Sequence, residues 1–165
     1  TDADRYFYKS PAAPVIMGLS SRLEYKRWDL GFGLRASIGN YVYNGVAQSF
    51  KNVSANGIWS QSRLVNTTSA AVARGFITDD TKNTVTDYWV KNASFLKCDN
   101  ITLGYSFNLF KTGGYKGING RLYATASNVF TITKYDGLDP EVYNGYDDNM
   151  YPRAFSMIFG VNLNF

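Results

Sequence analysis

The sequence predicts an all-β chain, a set of antiparallel strands from a transmembrane β-barrel with long loops at one end. Three observations carry that prediction. Residues 155–165 alternate, so that Phe155, Met157, Phe159, Val161, Leu163 and Phe165 share one face, while Ser156, Gly160, Asn162 and Asn164 share the other with Ile158. A period of two marks a strand, because successive side chains leave opposite faces of the pleat. An apolar face backed by small polar residues suits a strand between lipid and a wet lumen. The composition agrees: 45% of the residues are hydrophobic and 16% aromatic, but only 18% are charged. Finally, no apolar run reaches the roughly 18 residues of a transmembrane helix, so any crossing must use strands.

The other strands follow in order. Residues 15–26 place Met17, Leu19, Leu23 and Tyr25 on one face and Gly18, Ser20, Arg22 and Glu24 on the other. A tight turn is expected at 27–29. The next strand sets Leu30, Phe32, Leu34, Ala36 and Ile38 against Gly31, Gly33, Arg35, Ser37 and Gly39, and the two arms read as a hairpin. Arg22, Glu24 and Arg35 belong on the water side, since charge facing lipid is costly. Residues 41–92 lack clean alternation and read as a long loop, with a short helical segment around 62–74 suggested by Leu64, Ala71, Val72 and Phe76. A third strand over 94–107 opposes Ile101, Leu103, Tyr105 and Phe107 to Thr102, Gly104 and Ser106. The glycine-rich stretch 108–120 is a turn region, 121–130 a fourth strand, and 133–149 a second loop.

With the C-terminus on the periplasmic side, both long loops fall outside and both shorter turns inside, the usual asymmetry of outer-membrane barrels. About eight strands is the smallest natural barrel, and an open sheet edge in lipid is costly. Either further strands lie within 41–92, or the remaining wall comes from beyond these 165 residues. The polarity of 41–92 favours the second. The opening Thr-Asp-Ala-Asp-Arg is not a signal peptide, so the chain is expected to be mature, truncated or part of something longer.

Several chemistries are excluded or weak. With 0 His, histidine-based acid–base catalysis and histidine metal ligation are absent. The single cysteine, Cys98, sits in a strand pattern and reads as a buried or lipid-contacting residue rather than a reactive one. The net charge is +4, but Lys and Arg are scattered and no basic run suggests nucleic acid. Gly31-Phe-Gly-Leu-Arg-Ala36 matches a loose dinucleotide fingerprint, yet it lies inside a strand with no helix after it. Asp139 and Glu141 flank a proline and read as a shaped polar loop rather than a glycosidase pair. No catalytic or cofactor-binding residue is therefore expected. Asp147, Asp148 and Asn149 are weak loop candidates for Ca²⁺. The loop aromatics Trp59, Tyr88, Trp89, Tyr135, Tyr143 and Tyr146 are candidates for stacking on a ligand or partner, although most should serve packing. Asn52, Asn66, Asn92 and Asn100 begin Asn-x-Ser/Thr sequons that read as polar surface.

Certain longer motifs carry a family resemblance. Phe7-Tyr-Lys-Ser-Pro11 with Met17-Gly-Leu-Ser-Ser21, Asn92-Ala-Ser-Phe-Leu-Lys-Cys-Asp-Asn-Ile-Thr-Leu-Gly-Tyr105, Asn128-Val-Phe-Thr-Ile-Thr-Lys-Tyr-Asp-Gly-Leu-Asp-Pro-Glu141, and Tyr151-Pro-Arg153 running into Gly160-Val-Asn-Leu-Asn-Phe165 occur in that order. Together they resemble the late-barrel segment of SusC/RagA-type TonB-dependent outer-membrane transporters. The resemblance implies the C-terminal part (1–165) of a 22-stranded, plugged barrel in the outer membrane of a Bacteroidetes-type Gram-negative bacterium. It further implies import of oligosaccharides or peptides, a SusD-like surface lipoprotein as cap, and TonB acting on a plug that these residues do not contain. Phe155, Met157, Phe159, Val161, Leu163 and Phe165 would then form the lipid face and the terminal barrel-assembly signal. The rival readings are a small stand-alone outer-membrane barrel or adhesion protein, and a soluble carbohydrate-binding β-sandwich.

Overall fold

A computed structural model describes residues 3, 5–49, 69, 73, 86–109, 117–148 and 151–164. The strands are β1 (Val15–Tyr25), β2 (Trp28–Ile38), β3 (Tyr41–Asn44), β4 (Val90–Asn92), β5 (Phe95–Leu109), β6 (Ile118–Thr133), β7 (Tyr146–Asp147) and β8 (Ser156–Asn164). A short helix α1 (Gly45–Ser49) and a 3-10 turn, Asp87–Trp89, complete the described elements. They divide into two compact units.

One unit is a five-stranded sheet in the order β1-β2-β5-β6-β8, every neighbouring pair antiparallel. These are the five strands expected from the sequence, the fourth of which shows no clear faces in its pattern. Several boundaries differ. The turn between β1 and β2 is Lys26-Arg27, with Trp28 already paired to Tyr25. Lys26 takes the left-handed φ of 57° that so tight a reversal requires. The fourth strand is longer than expected at both ends, because Ile118, Asn119 and Gly120 are already paired to β5 and Thr131, Ile132 and Thr133 are still paired to it.

The register lines the apolar residues up in rows. Tyr25, Trp28, Tyr105, Leu122 and Val161 occupy one row across all five strands. The next row is Leu23, Leu30, Leu103, Ala124 and Phe159, followed by Ser21, Phe32, Ile101, Ala126 and Met157. Beyond it the sequence threatens its own pattern: Leu96 and Cys98 are out of phase with Ile101, Leu103 and Tyr105. A strictly alternating strand would send the two sets to opposite faces. A bulge repairs this, because Leu34 pairs Cys98 while Gly33 pairs Asn100, leaving Asp99 as the extra residue. On the β6 side Cys98 pairs Phe130 and Asn100 pairs Ser127, and Asn128 absorbs the kink at a φ of 53°. Its side chain donates a 2.9 Å hydrogen bond from Nδ2 to the Ala154 carbonyl.

The second unit consists of residues 1–14, 39–94 and 134–152. Within its described residues it holds a three-stranded sheet, β4-β3-β7, with β3 and β4 antiparallel and β3 and β7 parallel. Regions read as loop therefore contain strands. They escape a pattern search because two to four residues are too few to show a period. Val42, Ala93, Tyr135 and Val142 form a small buried core. Backbone hydrogen bonds fasten the ladder: Tyr41 N–H to the Ser10 carbonyl at 3.1 Å, Tyr43 N–H to Gly145 at 2.8 Å and Ala93 N–H to Asn40 at 2.9 Å. Asn44 Oδ1 caps α1 by accepting from the Ala47 N–H at 2.8 Å. The expected helical segment at 62–74 lies almost entirely outside the described residues.

Candidate functional site: the two faces of the sheet

The five-stranded sheet presents large apolar side chains to its surroundings instead of burying them. Phe159 is 74% exposed, Leu163 49% and Leu103 45%. Met157 and Val161 share their face and are exposed as well, and Phe155 is exposed just before β8. Phe165 lies outside the described residues. An exposed apolar surface spanning five strands far exceeds the scattered hydrophobics of a soluble surface. At one end of it the ring centroids of Trp28 and Tyr105 lie 4.8 Å apart. An aromatic row at the margin of an apolar band is the arrangement of a membrane-interface girdle.

The opposite face carries the charge. Arg35 Nε donates to both carboxylate oxygens of Asp99, at 2.9 and 2.7 Å, so the bulged residue is also an ion-pair partner. Arg121 reaches from β6 across β5 to Asp29 on β2, with Nε 2.9 Å from Oδ1 and a second bond from Nη2 to Oδ2. Arg22 and Glu24 meet at 3.0 Å but are largely exposed and contribute little. The Thr102 and Thr125 hydroxyls lie 2.9 Å apart on this face. Ile16 and Ile158 are the exposed apolar exceptions here. The glycines have work to do on this side. A Cβ at Gly104 would collide with the Asp29–Arg121 pair, and one at Gly160 would collide with the Tyr123 ring lying across it. Gly31 and Gly33 lie within β2, paired to Thr102 and Asn100, and no helix follows them directly.

In the second unit Tyr135 is buried and donates its hydroxyl to Asp147 Oδ2 at 2.7 Å. Burial, followed by that bond, pushes the Tyr135 phenol far above its ordinary range. Asp147 is fully buried and Asp148 exposed, while Asn149 lies outside the described residues. Among the described residues no group of three or more acidic, cysteine or histidine side chains is placed to hold a metal. Asp139 accepts from the Glu141 backbone N–H at 2.9 Å, so this carboxylate shapes its own loop. Of the candidate aromatics, Trp89 and Tyr135 are buried, and Tyr88 packs edge-on against Trp89 with centroids 4.8 Å apart. Tyr146 stacks on Tyr43 at 5.3 Å, a pairing invisible in sequence, and Tyr143 stands 85% exposed. Trp59 lies outside the described residues.

No protein-family model matches the chain. It is 52% identical over 163 residues to the TonB-dependent receptor SusC of Bacteroides thetaiotaomicron, covering 98% of this chain and 16% of that protein. It is 27% identical over 183 residues to the TonB-dependent receptor P3 of Formosa agariphila, covering 99% of this chain and 17% of that one. The structure superposes on the RagAB peptide importer in its closed-closed state with a TM-score of 0.69 at 22% identity, covering 96% of this chain and 18% of the other. Its open-open state gives 0.68 at 22% identity, covering 95% and 18%. Fold and faces together define a wall segment of a large β-barrel, although these five strands do not close one by themselves. The chain spans about a sixth of the length of the curated relatives it matches. In sequence it is similar to one segment of a SusC-type TonB-dependent receptor, and in fold to the matching segment of the RagAB importer.

Proposed function

We propose that the chain is the late, C-terminal wall of an outer-membrane importer that takes up oligosaccharides or peptides in a Bacteroidetes-type bacterium. The observation that carries this reading is the apolar face running unbroken across five strands behind a face of ion pairs, threonines and glycines. Hydrocarbon suits the first face and a water-filled lumen the second. Phe155, Met157, Phe159, Val161 and Leu163 present the lipid face, and together with Phe165 they supply the terminal signal for barrel assembly. The second unit, with Tyr143 and Tyr146 exposed, belongs to the extracellular loops under a SusD-like lipoprotein. TonB acts through a plug supplied by the longer protein. The relationship to SusC supports transport rather than catalysis.

The test is uptake. A strain lacking the gene should lose growth on its cognate oligosaccharide or peptide, and full-length protein should restore it only when TonB is present. Restoration without TonB, or a protein recovered folded in the soluble fraction, would remove this reading.

A further inference from the structure

A shallow apolar groove crosses the exposed face near the short-turn end of the sheet. Ala124 lies between Leu103 and Phe159 in one row, so the small side chain leaves a trough between two large ones. Trp28 and Val161, from the adjacent row, also line the groove. Directly beside Trp28 in the chain is the Lys26-Arg27 turn, both residues exposed. Lys26 Nζ lies 5.2 Å from the centroid of the Tyr25 ring, and Tyr25 is the cross-strand partner of Trp28. The Arg27 carbonyl accepts from the Ser106 N–H at 2.7 Å, which fixes the turn against β5. Two exposed cationic residues thus occupy the turn that leads directly into Trp28 on the groove wall, with Lys26 over the Tyr25 ring.

That sequence of chemistries matches a phospholipid: an anionic phosphate, an interfacial glycerol level and an acyl chain. We propose that this groove binds a phospholipid of the leaflet at the short-turn end, its phosphate on Lys26 and Arg27 and one acyl chain over Ala124. The inference rests on the barrel reading above, which places this face in lipid. Charge complementarity selects the occupant. A second protein's apolar face would leave Lys26 and Arg27 without an anion, whereas a phospholipid engages the cations and the trough together.

The experiment uses the full-length receptor, purified in detergent, with native mass spectrometry of added dioleoylphosphatidylglycerol. Heat-modifiable gel migration first establishes a closed barrel in every variant. Its loss in wild type would sink the barrel reading, separately from the lipid site. Wild type should retain a lipid that survives delipidation. Lys26→Gln/Arg27→Gln and, independently, Ala124→Phe should each weaken that binding on the order of tenfold or more. Inorganic phosphate should fail to displace the lipid. Unchanged binding in either variant, or displacement by phosphate alone, would overturn the proposal.

Discussion

Arg121 holds Asp29 across an intervening strand, with Nε 2.9 Å from Oδ1, and the backbone of Gly104 passes beneath the pair. The two residues are 92 apart in the chain and sit on strands that do not touch. Glycine is needed at 104 because any side chain there would occupy the space of the ion pair.

The first prediction concerns this bridge. Arg121→Met strands a mostly covered carboxylate and should destabilise the full-length barrel by about 1–3 kcal/mol, the wet lumen limiting the cost. Gly104→Leu should produce a loss of similar size by forcing the pair apart. Asp29→Leu with Arg121→Met should recover most of the loss. Urea titration read by heat-modifiable migration measures all three, and a double variant no better than Arg121→Met would contradict the pairing.

The second prediction separates the faces. Phe159→Arg puts charge into lipid and should cost about 2–4 kcal/mol near the bilayer midplane. Asn162→Arg, paired to Arg121 on the opposite face, should assemble nearly normally. Equal losses in outer-membrane yield would contradict the facing.

The bulge gives a third. Asp99 is the unmatched residue opposite β2, so deleting it should leave Leu96 and Cys98 in phase with Ile101, Leu103 and Tyr105 on the apolar face. A heat-modifiable barrel should still reach the outer membrane, with a modest loss of stability because the bonds from Arg35 are gone. Asp99→Ala keeps the bulge and loses the same bonds, so it should show a loss of similar size. If the deletion fails to assemble while Asp99→Ala assembles, the bulge does more than restore the phase of β5.

A fourth prediction is a pH dependence. The Tyr135 phenol titrates above its ordinary value of 10.0, first through burial and then through its bond to Asp147. The folded state therefore binds this proton more tightly than the unfolded state. The stabilisation is complete below the ordinary value and declines as pH rises above it. The protection of the Ala93 and Tyr43 amides against hydrogen exchange, taken relative to the hydroxide-catalysed rate of a free amide, should fall above about pH 10 in wild type. Tyr135→Phe should show lower protection already at neutral pH, since Asp147 loses a donor, and little further fall in the alkaline range. Identical alkaline profiles for the two proteins would show that Tyr135 is not the group responsible.

Much of the wall was legible in the chain itself. A period of two is written locally, so the five strands and the faces of Leu103, Phe159 and Leu163 follow from residues a few positions apart. Cys98 was legible only in part, since its strand pattern allows burial or lipid contact and the structure buries it. The aromatics of the second unit were only half legible. Composition marks them as candidates, but nothing local separates buried Tyr135 from exposed Tyr143 or pairs Tyr146 with Tyr43.

The chain alone determined which side of each strand is apolar, because alternation depends only on the geometry of one extended backbone. Tertiary structure decided how five alternations combine into one surface. The phase slip between Cys98 and Ile101 has no meaning until β2 and β6 pair on either side of it and leave Asp99 unmatched. The same holds for Asp29 with Arg121 and for the β4-β3-β7 sheet. Their partners lie tens of residues away, and only strand pairing brings such positions within the reach of a hydrogen bond.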